Sequence, residues 1–430
     1  MSKSWLRKGN HILLWLIILS LAGLTDCGGV LEVRIEPESP APPPSLGKVA
    51  YIAGGDVWVV DLDTNQQTRL TRDGRNSRPR WSADGRWIAY LKTDQLCAIE
   101  VGTGREQVVS QTPVSEFAWS PTGDQLAYLS AAEALVGWKA DERVGRPLVT
   151  GGTASTLTHL AWAPDSQRLA CEAYGVERGL YQVTLDGRGL LPLYATAEWE
   201  QTPHLTGWSP DGHWLLAWIG PASALAEADG LPLCLIPAQG GQPHCLEQKV
   251  LLWPDFAAWS PAGQLVFVAG GGRETWVNKG LALADPETLT VRWLVEATDQ
   301  APIHPAWSPD GARIAYSAGP ATPPEVAYAR RDEALSRRQI WVVEISSRRR
   351  RQLTNDSFFR DERPLWSRDG QRLLFARLSE EDASLWLMQA DGTDLRRVVP
   401  ELTPKPDSLG EYGYIDWSAL WDWWRPAGLR

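Results

Sequence analysis

Methionine, phenylalanine, histidine and cysteine are all scarce, with 2, 6, 6 and 5 residues in a chain of 430. Five Cys, at 27, 97, 171, 234 and 245, are too few for a disulfide-built scaffold and lack the spacing of a zinc site. Basic charge is not in excess: the formal net charge is −10. Phosphate backbones call for clustered Lys and Arg, so no nucleic-acid partner is expected. No Gly-x-Ser-x-Gly nucleophile elbow is present, and no Gly-rich phosphate loop precedes a helix. The run Gly270-Gly271-Gly272 reads as a turn in a hairpin. What remains is 43% apolar and 22% charged, a globular composition, with 24 Trp. So lopsided an aromatic usage implies that Trp recurs at one structural position.

The N-terminus reads as an address. Lys3, Arg7 and Lys8 precede an apolar run from Ile12 to Leu24. At about 13 residues this run matches a signal h-region and falls short of the roughly 20 needed to span a bilayer. It ends in Leu24-Thr25-Asp26-Cys27-Gly28-Gly29, which resembles the lipobox of bacterial lipoproteins, whose Cys is lipidated. Asp26 departs from that pattern, which wants a small neutral residue before the Cys. Cleavage after Ala22 and an uncleaved anchor are the alternatives. All three place the folded part outside the cytoplasm, in the periplasm or on the outer face of the cytoplasmic membrane. Segment 1–27 is thus the signal or anchor, and 28–47, rich in Pro, a semi-rigid linker.

The repeat sets the fold. Trp81-Ser-Ala-Asp-Gly85, Trp119-Ser-Pro-Thr-Gly123, Trp162-Ala-Pro-Asp-Ser166 and Trp208-Ser-Pro-Asp-Gly212 are followed by three more copies, beginning at Trp259, Trp307 and Trp366. Successive Trp stand 38, 43, 46, 51, 48 and 59 residues apart. A degenerate eighth copy centres on Trp417. In each unit an apolar strand ends in Trp, Ser-Pro-Asp-Gly makes a tight turn, and three alternating strands follow. Such a unit cannot bury both faces alone, so units stack around an axis as a β-propeller. Residues 48–71 lack a first strand, and 414–420 supply a lone one. Joining them gives eight four-stranded blades closed by both termini; seven is the alternative. The propeller then spans 48–420, and 421–430 form a tail.

The Trp-Ser-Pro-Asp-Gly…Ile-Ala-Tyr…Ile-Trp-Val…Arg-Gln-Leu-Thr unit resembles the TolB-like propeller repeat, which also occurs in the propeller domains of prolyl-oligopeptidase-type enzymes. With no hydrolase domain expected, the resemblance implies a non-catalytic, envelope-anchored monomer that binds an envelope protein or a glycan. Oligogalacturonate lyases are similar in repeat and bind a divalent metal through funnel His residues, which defines the alternative: an enzyme acting on an acidic polysaccharide.

Candidate site residues stand three or four positions before the first-strand Trp: Arg78, Glu116, His159, His204, Asp255, His304 and Glu362. Three of six His share this repeat position. If first strands line the axis, these side chains ring one channel mouth and bind a polar ligand or, through His159, His204 and His304, a divalent metal; otherwise they bond to loop backbones. No other cofactor is implied and no catalytic residue is assigned. Cys234 and Cys245 flank a turn centred on Gln239-Gly240, which sets them opposite each other across a hairpin and predicts a disulfide. The Arg run 348–351 is expected at a hairpin tip, and the insertion 319–339 as a partly helical loop.

Overall fold

The computed structural model describes residues 44–426, apart from 124, 132–134, 141, 143–144, 150–155, 175–177 and 187–188. The signal or anchor, Cys27 and most of the linker lie outside the described residues. Antiparallel strands dominate, and no described helix is long and apolar enough to cross a membrane.

Among the described residues the strands form six four-stranded sheets and one of seven strands. The seven-stranded sheet is two units sharing one strand: Arg105–Trp119 pairs with Gln95–Glu100 through its first part and with Gln125–Ser130 through its second. The units, lettered in chain order, span 48–69 with 421–424 (A), 76–113 (B), 114–149 (C), 156–196 (D), 202–250 (E), 257–295 (F), 300–352 (G) and 360–399 (H).

Packing between the units closes on itself. Apolar clusters join H to A and A to B, then B to C, C to D, D to E, E through F to G, and G back to H. Alternating strands bury one side chain set against each neighbouring unit, and the circuit of sheets is a β-propeller.

The recurrent Trp does more than fill space. The indole Nε1 of Trp119 donates to Arg80 O at 3.1 Å, that of Trp162 to Ala118 O at 3.0 Å, and that of Trp208 to Ala161 O at 3.0 Å. Trp307 and Trp366 repeat the bond, at 3.0 Å, to Ala258 O and Ala306 O. Each acceptor is the residue just before the Trp of the preceding unit. A Phe offers no such donor, which gives the aromatic skew a physical reason. The following turn repeats as closely. Ser209, Ser308 and Ser367 each donate to the Asp two residues on and accept the amide five residues on. Gly212, Gly311 and Gly370 take φ of 72°, 68° and 68°, where a Cβ is strained; Ser166 tolerates 56° in the variant copy.

One expectation is corrected. The closing strand is Trp421–Trp424, paired with Tyr51 back to Lys48, and not residues 414–420. Trp417 instead opens a short 3-10 turn, Trp417–Ala419, because Asp416 accepts the Ser418 amide and bends the chain. The propeller therefore runs to Trp424, and residues 421–424 of the expected tail are its closing strand. The alternating burial of Trp421 and Trp423 against Asp422 and Trp424 is a strand signature that the repeat spacing concealed.

Cys234 and Cys245 pair directly across their hairpin, with the sulfurs bonded at 2.04 Å. Cys97 and Cys171 are buried thiols. The insertion in unit G carries the helix Arg331–Ser336, and the Arg run lies exposed at a hairpin, with Arg350 paired to Asp299 at 3.0 Å.

Candidate functional site on the connection face

Strand direction sorts the connections onto two faces. Turns after the first and third strands lie on one face, the turn face, and are short. Links after the second and fourth strands lie on the other, and all the long ones are there: 221–230, 270–279, 321–338 and 400–420. Insertions collect where they do not disturb the ring, and such loops carry function.

A bulge in the first strand aims side chains toward this face. Arg78, His159, His304 and Arg363, each three residues before the repeat Trp, have φ of 52°, 49°, 53° and 53°. The ladder register shifts at each of these points. A bulge inserts an extra residue and redirects its neighbours, so positions three and four before the Trp can both reach the mouth.

The predicted rim residues fall into separate groups. Arg78 is exposed. Glu116 accepts the Leu160 amide at 2.8 Å, tying unit C to unit D; burial raises its pKa. His159 is 55% exposed and places Nδ1 3.0 Å from Glu172 Oε2. That hydrogen bond outweighs partial desolvation and lifts the imidazole to about 9. Glu172, buried, also accepts from Thr158 at 3.1 Å, from Tyr174 at 2.9 Å and from the Leu205 amide. His204 Nε2 lies 3.7 Å from Glu227 on the turn of helix Ala224–Ala228.

The remaining three meet at a second, covered group. His304 is buried, with Nε2 3.4 Å from Asp255 Oδ2. Burial lowers its pKa, so it is held neutral. Glu362, fully buried, accepts from Arg338 at 2.6 Å, Arg360 at 2.7 Å and the Trp417 indole at 2.8 Å. Burial alone would raise its pKa, but Arg360 and Arg338 overcome that and bring it to about 2.

What covers this group is the link 400–420. Its Thr403 amide bonds Ile52 O at 3.1 Å in unit A. Tyr412 O accepts the Thr275 amide at 3.0 Å in unit F, and Tyr414 stacks on Trp253 with centroids 4.1 Å apart. Tyr414 also lies 5.7 Å from the His304 ring, and Ser418 then receives Arg80 of unit B at 2.9 Å. The link thus crosses the mouth on the side of units F to H. A shallow groove of about 340 Å³ runs along its outer side, lined by Trp253, Pro404, Lys405, Pro406, Tyr414 and Ile415.

The three imidazoles therefore face three different carboxylates. Among the described residues no set of three or more His, Cys, Asp and Glu is arranged to hold a metal ion. Glu172, Arg338 and Arg360 were missed from the sequence. A signal existed for Glu172: it is the lone charge inside the otherwise buried strand Arg168–Tyr174.

No family model matches the chain. An uncharacterized protein of Agrobacterium fabrum is 30% identical over 138 residues, covering 28% of this chain and 47% of that protein. A WD repeat-containing protein, the WDS homolog of Arabidopsis thaliana, is 38% identical over 78 residues, covering 18% and 15%. The chain spans less than half the length of these curated relatives. Among solved structures, dipeptidyl peptidase 4 of Porphyromonas gingivalis matches with a TM-score of 0.60 at 11% identity, over 83% of this chain and 59% of its own. Oligogalacturonate lyase of Vibrio parahaemolyticus matches at 0.51 and 14%, over 77% and 94%. TolB of Agrobacterium tumefaciens matches at only 0.38 and 15%, over 82% and 88%. At these identities the likeness establishes the fold alone, a β-propeller.

Proposed function

We propose that this chain is a non-catalytic, envelope-anchored β-propeller of eight blades, seven continuous and one completed by Trp421–Trp424, that presents a protein- or glycan-binding surface on its connection face. The observation that carries this reading is the commitment of the mouth's polar groups to structure. Glu116 and Glu172 hold backbone amides of the next blade, and Glu362 is spent on two guanidinium groups and an indole. What the face offers a ligand is surface rather than reacting groups. A bonded Cys234–Cys245 pair suits an oxidising compartment outside the cytoplasm. The N-terminal run ending at Cys27 supplies the route and, through lipidation, the anchor.

Two measurements on the full chain test this reading. Fatty-acid labelling should mark the wild type and not Cys27→Ala. Glycan-array and purified envelope-protein binding should give a ligand whose affinity falls on substitution of connection-face residues and not of turn-face residues. A ligand that responds only to the turn face would refute the reading.

A second reading, an enzyme acting on an acidic polysaccharide, is favoured by one observation. His159 is an exposed imidazole held protonated by a buried carboxylate, an arrangement that can donate a proton. Turnover of acidic oligosaccharides that is lost in His159→Gln would establish it, and absence of turnover in the metal-supplemented wild type would remove it.

A further inference from the structure

Large apolar side chains exposed among the described residues are not spread evenly. Trp199, Leu225, Val326, Tyr328, Phe358 and Tyr412 all sit on links of the connection face, whereas Val108, Leu191 and Leu395 lie on or beside outer strands. Leu225 and Tyr328 are each 69% exposed and Trp199 is 51% exposed. A single exposed apolar residue needs no explanation; a set gathered from links far apart in the chain onto one face does.

The links are joined to one another. Trp199 O accepts the Ala222 amide at 2.9 Å, just ahead of helix Ala224–Ala228, which bears Leu225. Asp229, capping that helix, pairs with Arg273 at 3.1 Å, and the Arg273 guanidinium lies 5.4 Å from the Tyr412 ring. Tyr328 donates to Glu274, next to Arg273, at 2.8 Å. Beneath lies a small apolar core of its own, formed by Trp276, Val277, Ala327, Ala334 and Leu335, in which the Trp276 indole bonds Ala327 O at 3.0 Å. None of its residues lies on a strand of the ring. Its effect is to hold Tyr328 and Tyr412 in fixed positions before anything binds, which lowers the entropy cost of association.

We propose that this sector of the connection face is a docking surface for a protein partner that inserts apolar side chains and surrounds them with Lys or Arg. The inference rests on the binding-module reading above and narrows it to protein. Aromatic side chains framed by polar groups are what protein interfaces use as anchors. The sign of the partner's charge follows from what borders the patch. Glu198, Glu200, Glu227, Glu325, Asp407 and Glu411 stand on these links. Most cations there are paired, Arg331 with Asp332, Arg337 with Glu333, and Lys279 with the carbonyls of Gly271, Gly272 and Val277, which leaves exposed Arg330 against the six carboxylates. The strand Lys48–Ala53 begins on the opposite, turn face, where Leu46 O accepts the Trp423 indole at 2.8 Å.

Fluorescence anisotropy on the full chain tests the inference with three labelled probes: an amphipathic Leu/Lys helical peptide, its Leu/Glu counterpart and a neutral dextran oligosaccharide. The Leu/Lys peptide should bind, and Leu225→Ser and Tyr328→Ser should each weaken it by about tenfold. Leu395→Ser, beside an outer strand, should leave it unchanged. These substitutions keep net charge constant, so bulk attraction of a cationic peptide to an acidic protein is separated from docking. Each variant should melt with the wild type, because the altered side chains are exposed. Binding that ignores both substitutions overturns the patch. Equal binding of the Leu/Glu peptide or of dextran, sensitive to the same substitutions, overturns the cationic-protein partner and leaves the binding module standing. Self-association in light scattering that is lost in Leu225→Ser overturns it in favour of a second copy. If no probe, nor any array ligand, responds to any connection-face substitution, the binding-module reading falls with it.

Discussion

The two ends of the inner strands are built on different terms. At the turn end, units repeat the same bonds: indole to the preceding carbonyl, Ser to Asp, amide back to Ser, Gly at positive φ. At the connection end the first-strand bulge recurs, but the side chains around it differ from unit to unit. One carboxylate holds a neighbour's amide, another is locked between two guanidinium groups, one imidazole is exposed and charged, and another is buried and neutral. The turn end carries the ring, and its chemistry is therefore fixed. The connection end is free to differ from unit to unit, and insertions there leave the ladder intact.

That contrast can be broken most severely at the closure. Deleting residues 421–426 removes the strand paired with Lys48 to Tyr51 and leaves unit A, between units H and B, without its first strand and without Trp421 and Trp423. Most of the net stability, about 5–15 kcal/mol for a typical folded protein, should go. Urea unfolding followed by Trp fluorescence should lose its single sharp transition; a midpoint unchanged from wild type refutes the assigned closure. Next in size is Glu362→Ala, which strands Arg338 and Arg360 as buried, uncompensated cations and should cost about 3–5 kcal/mol in the same assay. A cost below that of an ordinary surface substitution would show that the covered group is not an integrated network.

Trp208→Phe sharpens the turn-end side of the comparison. It leaves a ring in place but removes the donor to Ala161 O, and should cost about 1–2 kcal/mol, with equal effects expected for the same change at Trp162. Unequal costs would mean that the repeated bond is not the repeated contribution.

The smallest effect concerns His159. Its folded pKa of about 9 lies above the ordinary 6.5, so the protonated imidazole stabilises the fold fully below about pH 6.5, and that contribution is lost as pH rises through 9. Because the ring is more than half exposed, solvent screening keeps the energy small. NMR titration should place its midpoint well above 6.5 in the wild type and near 6.5 in Glu172→Gln. Equal midpoints would remove Glu172 as the cause.

How much the sequence reveals follows the same division. The propeller is legible because Trp, Ser, Pro, Asp and Gly recur at a fixed offset, each with a local bond to make. Cys234 opposite Cys245 is readable because a hairpin turn fixes its own register. Trp417 misleads, since its spacing from Trp366 imitates the repeat while Asp416 starts a 3-10 turn; only the alternation at 421–424 marks the real strand. The rim position is visible, yet its sorting into an exposed and a covered group is not. That sorting depends on where residues 400–420 cross, and nothing periodic encodes a crossing. The exposed patch is less legible still. Trp199, Leu225 and Tyr328 look like ordinary core residues until three unrelated links are seen on one face.

Pairing of Trp421–Trp424 with Lys48–Ala53 also sets an order of events. The other sheets are completed by strands adjacent along the chain, so they can form as the polypeptide emerges. The first sheet cannot. Until residue 424 is available, Lys48–Ala53 keeps one unpaired edge, and unit A lacks Trp421 and Trp423, which belong to the apolar cluster it shares with units H and B. Ring closure is thus the contact with the longest loop to close, and the ring stays open until nearly all of the chain has been made.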